Sequence, residues 1–418
     1  MWRSLDVDAW SEKRKGELKD VRKPVSEIIE LVRAKGDTAL IELTERFDKV
    51  KLDGIKVTKN EFDAAFDAVD DKFLMSLEET MLRVRRFHEM QLENQNWIKE
   101  VEPGITLGMR LSPLERIGAY IPGGKAAYPS TAMMCVVPAK VAGVKEIACC
   151  TPPPVSPLTL VALKVAGADE VYKLGGAQAI AALALGTKTI RPVQKIVGPG
   201  NVYVTEAKVL LRGLVEIDFP AGPSEIAIIA DGFANPRFIA ADILAQAEHD
   251  PNSPCILITT SQDLANQVGK ELDSLVTKAK RKDILQKSMK NAGFVIVKNL
   301  LEGMDISNRI APEHLSIQTK EPIELLGKVK NAGSIFLGPY SPVAAGDYAT
   351  GTNHVLPTAG HAKLYSGLDV RHFCKASSVQ MLTREGLQGI AKDVACIANA
   401  EGLQAHADSV YVRLKKSS

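Results

Sequence analysis

The sequence contains no apolar run long enough to cross a membrane. Its longest one, from Ala132 to Val144, is interrupted by Pro138 and Lys140, whereas a membrane-spanning helix needs about 20 apolar residues. Acidic and basic residues are mixed near the N-terminus, without the apolar core of a secretory signal or the composition of a transit peptide. We therefore expect no membrane partner and no targeting segment, and we predict a cytoplasmic protein.

Cysteine is sparse, and the net charge is small. The six cysteines include no C-x-x-C pair, so the sequence predicts neither a disulfide framework nor a cysteine metal site. Cys149 and Cys150 lie in an apolar run and are expected to be core residues. Because 52 Lys and Arg residues face 50 Asp and Glu residues, the charge balance gives no reason to expect a nucleic-acid partner.

The standard nucleotide-binding and zinc-protease motifs are also missing. The sequence has no complete G-x-G-x-x-G, no P-loop and no H-E-x-x-H. Glycine-rich segments do follow several predicted strands, at the position where open α/β sheets bind ligands. They are equally compatible with turns that need a positive φ. These segments are 121–124, 175–178, 198–201 and 221–225.

Short apolar runs alternate with helical stretches from about residue 113 onward, a spacing typical of β-α-β crossovers and parallel sheets. The predicted strands are Arg116–Ile121, Glu146–Thr151, Glu170–Leu174, Lys195–Val197, Ile226–Ala230, Cys255–Thr259, Gly293–Val297 and Ser334–Leu337. The predicted helices between them are Pro157–Ala166, Ala177–Leu185, Val202–Leu211, Pro236–His249 and Gln262–Lys280. We therefore predict an α/β body.

Both ends of the chain are expected to be helical. The first hundred residues are charged and carry little strand signal, and Met81 to Glu100 is predicted as one exposed helix. From about Ser378 the tail is predicted to form helices over Arg384–Ala400 and Leu403–Val410, with Gly402 as the cap that separates them.

Histidine is scarce, with seven in the chain, so each one in a polar segment is a candidate. Gln246 and His249 lie three residues apart in the last turn of a helix that Asn235 and Pro236 are predicted to start. An amide oxygen and a neutral imidazole on one face would bind a divalent metal. A surface hydrogen bond at the helix end is the alternative.

Three further groups of polar residues are candidates. Glu313 and His314 are adjacent and suit proton transfer, although an ordinary exposed pair has the same sequence. Asp347 and His354 lie in a long polar loop and offer an oxygen and a nitrogen ligand, or else a turn and a packing contact. Glu401 and His406 flank Gly402, where a solvated helix is the alternative.

Taken together and in order, these segments resemble the histidinol dehydrogenase family over nearly the whole chain, with a looser match in the first hundred residues. The matching blocks are Arg116–Gly124, Gly175–Gln178, Gly198–Lys208, Asp218–Glu225, Gln246–Asp250, Ala311–Leu315, Gly346–Tyr348, Asn353–Thr358 and Glu401–His406. The chain departs from the common pattern at Val343, Lys363–Tyr365 and Arg371–His372, which puts fine specificity in question.

The resemblance implies a two-step, NAD-dependent oxidation of L-histidinol to L-histidine through L-histidinal, in the final steps of histidine biosynthesis. It implies one Zn²⁺ per subunit, with Gln246, His249, Asp347 and His406 as ligands. It implies that His314 takes the alcohol proton and that Glu313 activates water in the second step. The residues implied to contact substrate, besides the ligands, are Ser224, His314 and Glu401; those implied to contact NAD are Tyr120, Gln178 and Asn201.

The resemblance also implies two incomplete Rossmann-like parallel-sheet domains with helical extensions. The expected division is 1–15 as an N-terminal helical segment, 16–121 with 227–368 as the first Rossmann-like domain, 122–226 as the second, on the NAD side, and 369–418 as a C-terminal dimerisation segment. In such an intertwined homodimer His406 and Glu401 complete the site of the partner chain.

Three other functions remain open from the sequence. A member of the same superfamily would oxidise another polar alcohol, such as a sulfonated diol. A zinc hydrolase would use Glu313 to activate metal-bound water without any NAD. A catalytically inactive assembly protein is disfavoured by the intact Glu313, His314 and metal-ligand positions.

Overall fold

The computed structural model describes residues 2–14, 21–93, 95–123, 127–220 and 222–415. Its contacts divide the chain into two compact units. The first comprises Met1–His88 with Glu115–Phe373, and the second comprises Glu89–Leu114 with Cys374–Ser418.

The elements are numbered along the described chain. The α-helices are α1 (Val7–Arg14), α2 (Arg22–Lys35), α3 (Asp37–Asp48), α4 (Lys59–Asp67), α5 (Asp71–Met90), α6 (Pro129–Ala142), α7 (Pro157–Ala166), α8 (Gly176–Leu185), α9 (Val202–Leu211), α10 (Pro236–Ala247), α11 (Gln262–Lys278), α12 (Lys282–Ser288), α13 (Leu300–Ile310), α14 (Pro322–Leu326), α15 (Val343–Tyr348), α16 (Arg384–Ala400) and α17 (Gln404–Leu414). Short 3₁₀ helices cover Met289–Asn291, His361–Lys363 and Val370–Phe373.

The strands are β1 (Trp97–Glu102), β2 (Ile105–Pro113), β3 (Arg116–Tyr120), β4 (Glu146–Thr151), β5 (Glu170–Lys173), β6 (Lys195–Val197), β7 (Glu216–Ile217), β8 (Ile226–Ala230), β9 (Cys255–Thr259), β10 (Ala292–Ile296), β11 (His314–Gln318), β12 (Ser334–Leu337) and β13 (Cys374–Leu382).

Two five-stranded parallel sheets form the first unit. Their orders are β5-β4-β3-β6-β7 and β10-β9-β8-β11-β12, so in each sheet the first strand lies between the second and the fourth. This is the order of a doubly wound mononucleotide-binding half, in which the chain reverses direction beside the first strand. The predicted α/β class, with two Rossmann-like parallel sheets and helical ends, is confirmed.

Helices cover both faces of the second sheet, because alternate side chains of its strands enter two different cores. Ile226 and Ile228 of β8 pack with α10 and α11, whereas Ala227 and Ile229 pack with α13. On β11 the apolar residues Leu315 and Ile317 join the α13 side. Since side chains alternate along a strand, His314, Ser316 and Gln318 face the opposite side, toward α10.

The link from the first sheet to the second determines where the sites lie. Strand β7 ends at Ile217, and β8 begins at Ile226. This connection joins the carboxyl edge of the first sheet to the amino edge of the second. Residues that follow β3 and β6 lie at the carboxyl edge of the first sheet, and residues that precede β8 and β11 lie at the amino edge of the second. These are the two sheet edges that the connection joins.

The second unit holds an antiparallel sheet in the order β1-β2-β13, together with α16 and α17. The prediction of one helix over Met81–Glu100 was wrong, because α5 ends at Met90 and β1 begins at Trp97. The tail prediction missed β13 but was correct for α16. Gly402 has φ 75 and donates to Asn399, while the amide of Leu403 donates to Ala398, which is the expected glycine cap.

The predicted domain boundaries remain a proposal, and two observations bear on them. Strand β3, placed in the first predicted Rossmann-like domain, pairs with β4 and β6 of the other. Residues 89–114 cluster with the C-terminal segment and not with either sheet. Among the described helices, none has the length and apolar character that a bilayer crossing needs.

Candidate active site

The Glu313–His314 pair lies at the start of β11, next to the start of β8. Helix α13 ends with Ala311 in a left-handed conformation (φ 53), and this turn brings the next residues to the amino edge of the sheet. Both side chains are buried, with 3% of each residue exposed. The alternative of an ordinary exposed pair is therefore wrong. The role of the pair in proton transfer stays a prediction.

The imidazole of His314 is fixed between a carbonyl and a carboxylate. Its Nδ1 lies 3.0 Å from the backbone oxygen of Glu225, and its Nε2 lies 3.5 Å from Oδ1 of Asp347. A carbonyl oxygen only accepts, so Nδ1 carries the hydrogen. In the neutral ring Nε2 then holds the lone pair, on the side of Asp347.

Burial and charge shift the pKa of each member of this group. Burial raises the pKa of Glu313 to about 8. Burial lowers the pKa of His314, but the charges of Glu313 and Asp347 outweigh it and raise the pKa to about 9. Burial also raises the pKa of Asp347, yet the hydrogen bond and charge of His314 bring the net pKa below the usual range. These raised pKa values keep the pair protonated near neutral pH, and the deprotonated forms that can accept protons become populated as the pH rises toward 8 and 9.

Gln246 lies in the last turn of α10, and His249 follows the helix by two residues, because α10 ends at Ala247 and not at His249 as predicted. Helix α10 packs against α15, the helix that carries Asp347. The side chain of Asn235 accepts from the amide of Arg237 and caps α10, as predicted. Gln246 is 2% exposed, and both Oε1 and Nε2 lack a hydrogen-bond partner among the described residues. A buried amide of this kind needs a ligand that the protein does not supply.

His249 is close enough to Asp347 and His314 for their charges to act on it. Desolvation lowers its pKa, the charge of Asp347 raises it, and the charge of His314 lowers it again. The net decrease favours the neutral imidazole that metals bind. An amide oxygen, an imidazole and a carboxylate form an exchangeable set of donors that suits Zn²⁺.

No group of three or more His, Cys, Asp and Glu side chains among the described residues is arranged as a metal site. The three candidates of the first unit include a glutamine, and the fourth predicted ligand, His406, belongs to the second unit. Glu401 ends α16 and His406 lies in α17, and both are exposed. Their predicted roles remain a proposal.

Two other candidates have clear partners. Ser224 precedes β8, and its Oγ lies 3.5 Å from Oε1 of Glu313, so it faces the carboxyl group of the proposed acid–base pair. His354 was considered as a ligand, but its Nδ1 donates to the backbone oxygen of Asp347 at 2.9 Å and its Nε2 lies 3.5 Å from Oγ1 of Thr131. His354 therefore supports the segment that carries Asp347.

The residues predicted to contact NAD follow three strands of the first sheet at its carboxyl edge. Tyr120 ends β3, and its hydroxyl oxygen accepts from the amide of Gly176 at 3.1 Å. Gln178 is buried in the first turn of α8. Asn201 caps α9 and accepts from the amides of Tyr203 and Val204 at 3.0 and 3.2 Å. Because β3 and β6 flank the reversal point, this edge is the expected place for a dinucleotide.

Sequence reasoning assigned no role to Glu225 and Arg14. Glu225 is 1% exposed, and its carboxylate pairs with Arg14 at 2.9 Å. The only signal in the sequence is a charged residue directly before the apolar strand Ile226–Ala230. Nothing in the sequence around Arg14 indicates that it reaches this site.

Comparison with known proteins gives a consistent result. Residues 11–414 match the family model described as histidinol dehydrogenase. The histidinol dehydrogenase of Methanosarcina barkeri is 51% identical over 400 residues, which are 95% of this chain and 92% of that protein. The histidinol dehydrogenase of Archaeoglobus fulgidus is 50% identical over 418 residues, covering 99% and 98%.

A solved structure is similarly close. The crystal structure of histidinol dehydrogenase from Elizabethkingia anophelis superposes with a TM-score of 0.94 at 38% identity, covering 99% of this chain and 97% of that one.

Proposed function

Because the chain belongs to the histidinol dehydrogenase family, we propose that it oxidises L-histidinol to L-histidine through L-histidinal, in the last steps of histidine biosynthesis. The observation that carries the proposal is the buried Glu313–His314 pair beside Asp347 and the unpartnered Gln246. Each oxidation passes one hydride to an NAD⁺ at the carboxyl edge of the first sheet, so two NAD⁺ are reduced per substrate.

Gln246, His249 and Asp347, with His406, would hold one Zn²⁺. When bound, this ion would supply a positive charge that orients the substrate and polarises its hydroxyl group. The support is chemical: the buried amide of Gln246 lacks a protein partner, and the pKa shifts favour a neutral His249 and an ionised Asp347. Ser224, His314 and Glu401 would contact the substrate beside these ligands.

In the first step the deprotonated form of His314, whose fraction grows as the pH rises toward its pKa of about 9, accepts the alcohol proton at Nε2, because Nδ1 is already bonded to the carbonyl of Glu225. Loss of this proton and of one hydride converts the alcohol to the aldehyde. In the second step Glu313 accepts a proton from water, whose oxygen adds to the aldehyde carbon. The hydrate then loses the second hydride and becomes the carboxylic acid. Both bases are buried, which shifts their pKa values and limits their exchange of protons with bulk water.

The test is the number of NADH molecules formed per L-histidinol consumed. We expect two NADH, loss of the activity after chelation, and its return with Zn²⁺. In Glu313→Gln we expect one NADH and an aldehyde that semicarbazide traps, while the exposed control Glu321→Gln keeps two. NADH formation with other alcohols only, or hydrolysis without NAD⁺, would refute the proposal.

We also place this reaction in an intertwined homodimer in the cytoplasm, where His406 and Glu401 reach the partner's site. Both residues are exposed in the second unit, and their side chains are available for this role. Mixing refolded Glu313→Gln and His406→Ala chains tests it. Because Glu313→Gln still forms one NADH, the readout is L-histidine, which neither variant forms alone. A shared site predicts about a quarter of the wild-type rate of L-histidine formation, since one site in four is intact; no L-histidine from the mixture contradicts it.

A further inference from the structure

Glu225 contacts both members of the catalytic pair. Its backbone amide donates to Oε2 of Glu313 at 2.8 Å, and its Oε1 accepts from the amide of Glu313 at 3.2 Å. Its backbone oxygen faces Nδ1 of His314 at 3.0 Å and accepts from the His314 amide at 3.3 Å. One residue thus fixes the carboxylate, the imidazole and the ring tautomer.

Glu225 is itself held by a residue from the other end of the chain. Nη1 of Arg14 lies 2.9 Å from Oε1 of Glu225, and the two side chains are each 2% exposed. Nη2 of Arg14 donates to the backbone oxygen of Ile310 at 2.6 Å, in the turn that precedes Glu313. The guanidinium therefore joins Glu225, directly before β8, to the end of α13, which precedes the start of β11 and the catalytic pair there.

The N-terminal segment is anchored so that Arg14 arrives at this place. Backbone bonds join Leu5 to Phe294 at 2.8 Å and Phe294 to Arg3 at 2.9 Å, which attaches the segment to β10. The indole of Trp10 donates to the backbone oxygen of Asn291 at 2.9 Å, and Arg14 lies over its ring at 5.4 Å. The side chain of Arg14 thus has little freedom to move.

We propose that Arg14 and Glu225 are positioning residues for the Glu313–His314 pair, and that the N-terminal helix belongs to the catalytic machinery through them. The inference rests on the proposed function. Without Arg14, the buried carboxylate of Glu225 loses the cation that pairs with it at 2.9 Å. A buried carboxylate that loses its cation moves or draws in water, and the bonds of Glu225 to the pair move with it.

The test compares Arg14→Met and Arg14→Lys with Arg309→Ala as the matched control. Arg309 also bonds α1, through Asp8 at 3.6 Å, but it touches neither Glu225 nor the pair. We expect kcat of Arg14→Met to fall by about 10- to 100-fold, the loss that a misplaced catalytic group causes. The Kd for L-histidinol and the zinc content should change less than threefold, Arg14→Lys should recover part of kcat, and Arg309→Ala should match the wild type.

A double variant separates position from folding. In Arg14→Met with Glu225→Gln, the lost cation is matched by a lost anion, and the amide keeps an acceptor for the Glu313 amide. We expect kcat above that of Arg14→Met alone, because the two changes are coupled through one contact. A double variant as slow as the product of the two single effects overturns the proposal, as does a normal kcat in Arg14→Met or an equal loss in Arg309→Ala.

Ring ¹⁵N shifts give an answer that does not depend on turnover. The His314 signals are assigned by their loss in His314→Gln. At a pH above the pKa of the ring, where the imidazole is neutral, the proposal expects one protonated Nδ1 in the wild type and averaged shifts in Arg14→Met, and unchanged shifts overturn it. A wild type that forms no NADH from histidinol defeats the proposed function, while these shifts still decide whether Arg14 and Glu225 position the ring.

Discussion

Asp242 offers a stability test with a magnitude that follows from its surroundings. It lies on α10 one turn before Gln246, is 7% exposed, and accepts from Nε2 of Gln318 at 2.8 Å. Nε2 of Gln318 also donates to Oγ of Ser316 at 3.2 Å. These side-chain hydrogen bonds join α10 to β11. Burial raises the pKa of Asp242 from 3.8 to about 6.

The sign of the effect on stability follows from the direction of that shift. Between pH 4 and pH 6 the folded chain binds a proton that the unfolded chain has lost, so the contribution of Asp242 is most favourable in acid and declines as the pH rises through 6. A shift of about two pH units corresponds to a cost of about 3 kcal/mol above pH 7 and about half of that at pH 5.

Asp242→Asn removes the charge and keeps an oxygen that accepts from Gln318. We therefore expect the variant to be more stable than the wild type by a margin that grows by about 1–2 kcal/mol when the pH is raised from 5 to 8. Urea unfolding of both proteins at pH 5 and pH 8, at one fixed protein concentration, measures how this margin changes with pH. Any effect of the amide on stability that does not depend on pH cancels when the two pH values are compared. The exposed Asp273→Asn on α11 is the control. An advantage that is equal at both pH values, or larger at pH 5, would refute the reasoning.

Two further substitutions test the edge where NAD is proposed to bind. Lys208→Met leaves the buried Asp218 without its cation and removes the 3.0 Å bond to the backbone oxygen of Gly198. We expect the free energy of unfolding in urea to fall by about 3–5 kcal/mol, and the KM for NAD⁺ to rise more than the KM for L-histidinol. Equal rises in the two KM values would contradict the proposed NAD site. In Gly198→Ala the new Cβ would lie 2.1 Å from the backbone oxygen of Tyr120 at φ 110, so we expect a strong loss of thermal stability and of NAD⁺ binding. Gly213→Ala has a similar φ of 105 but meets nothing within 4 Å, so it should lose only about 1–2 kcal/mol; similar melting temperatures for the two variants would disprove the steric explanation.

The parallel sheets were predictable because their strands are buried on both faces. Ile226–Ala230 and Cys255–Thr259 are continuous apolar runs between helix signals, and both were located correctly. Strand β11 was missed because His314, Ser316 and Gln318 make every second residue polar. That alternation normally marks a strand with one face in water, whereas here the polar face packs toward α10. The charged β1 was missed for a related reason, since all six of its residues are exposed.

Local spacing singled out the proposed catalytic pair and the Gln246–His249 pair only as candidates with ordinary alternatives, and it was the family resemblance that grouped them into one predicted site. Gln246 and Asp347 come from different helices about a hundred residues apart in the sequence, so spacing alone could not bring them together. What identifies Gln246 physically is burial without a partner, a property of the folded chain. An isolated buried amide costs about 1–3 kcal/mol, so its retention beside His249 and Asp347 argues for a ligand that repays the cost when it binds. Arg14 could not be identified from the sequence for a related reason. Its buried charge is stabilised by Glu225, and this pairing exists only in the folded chain.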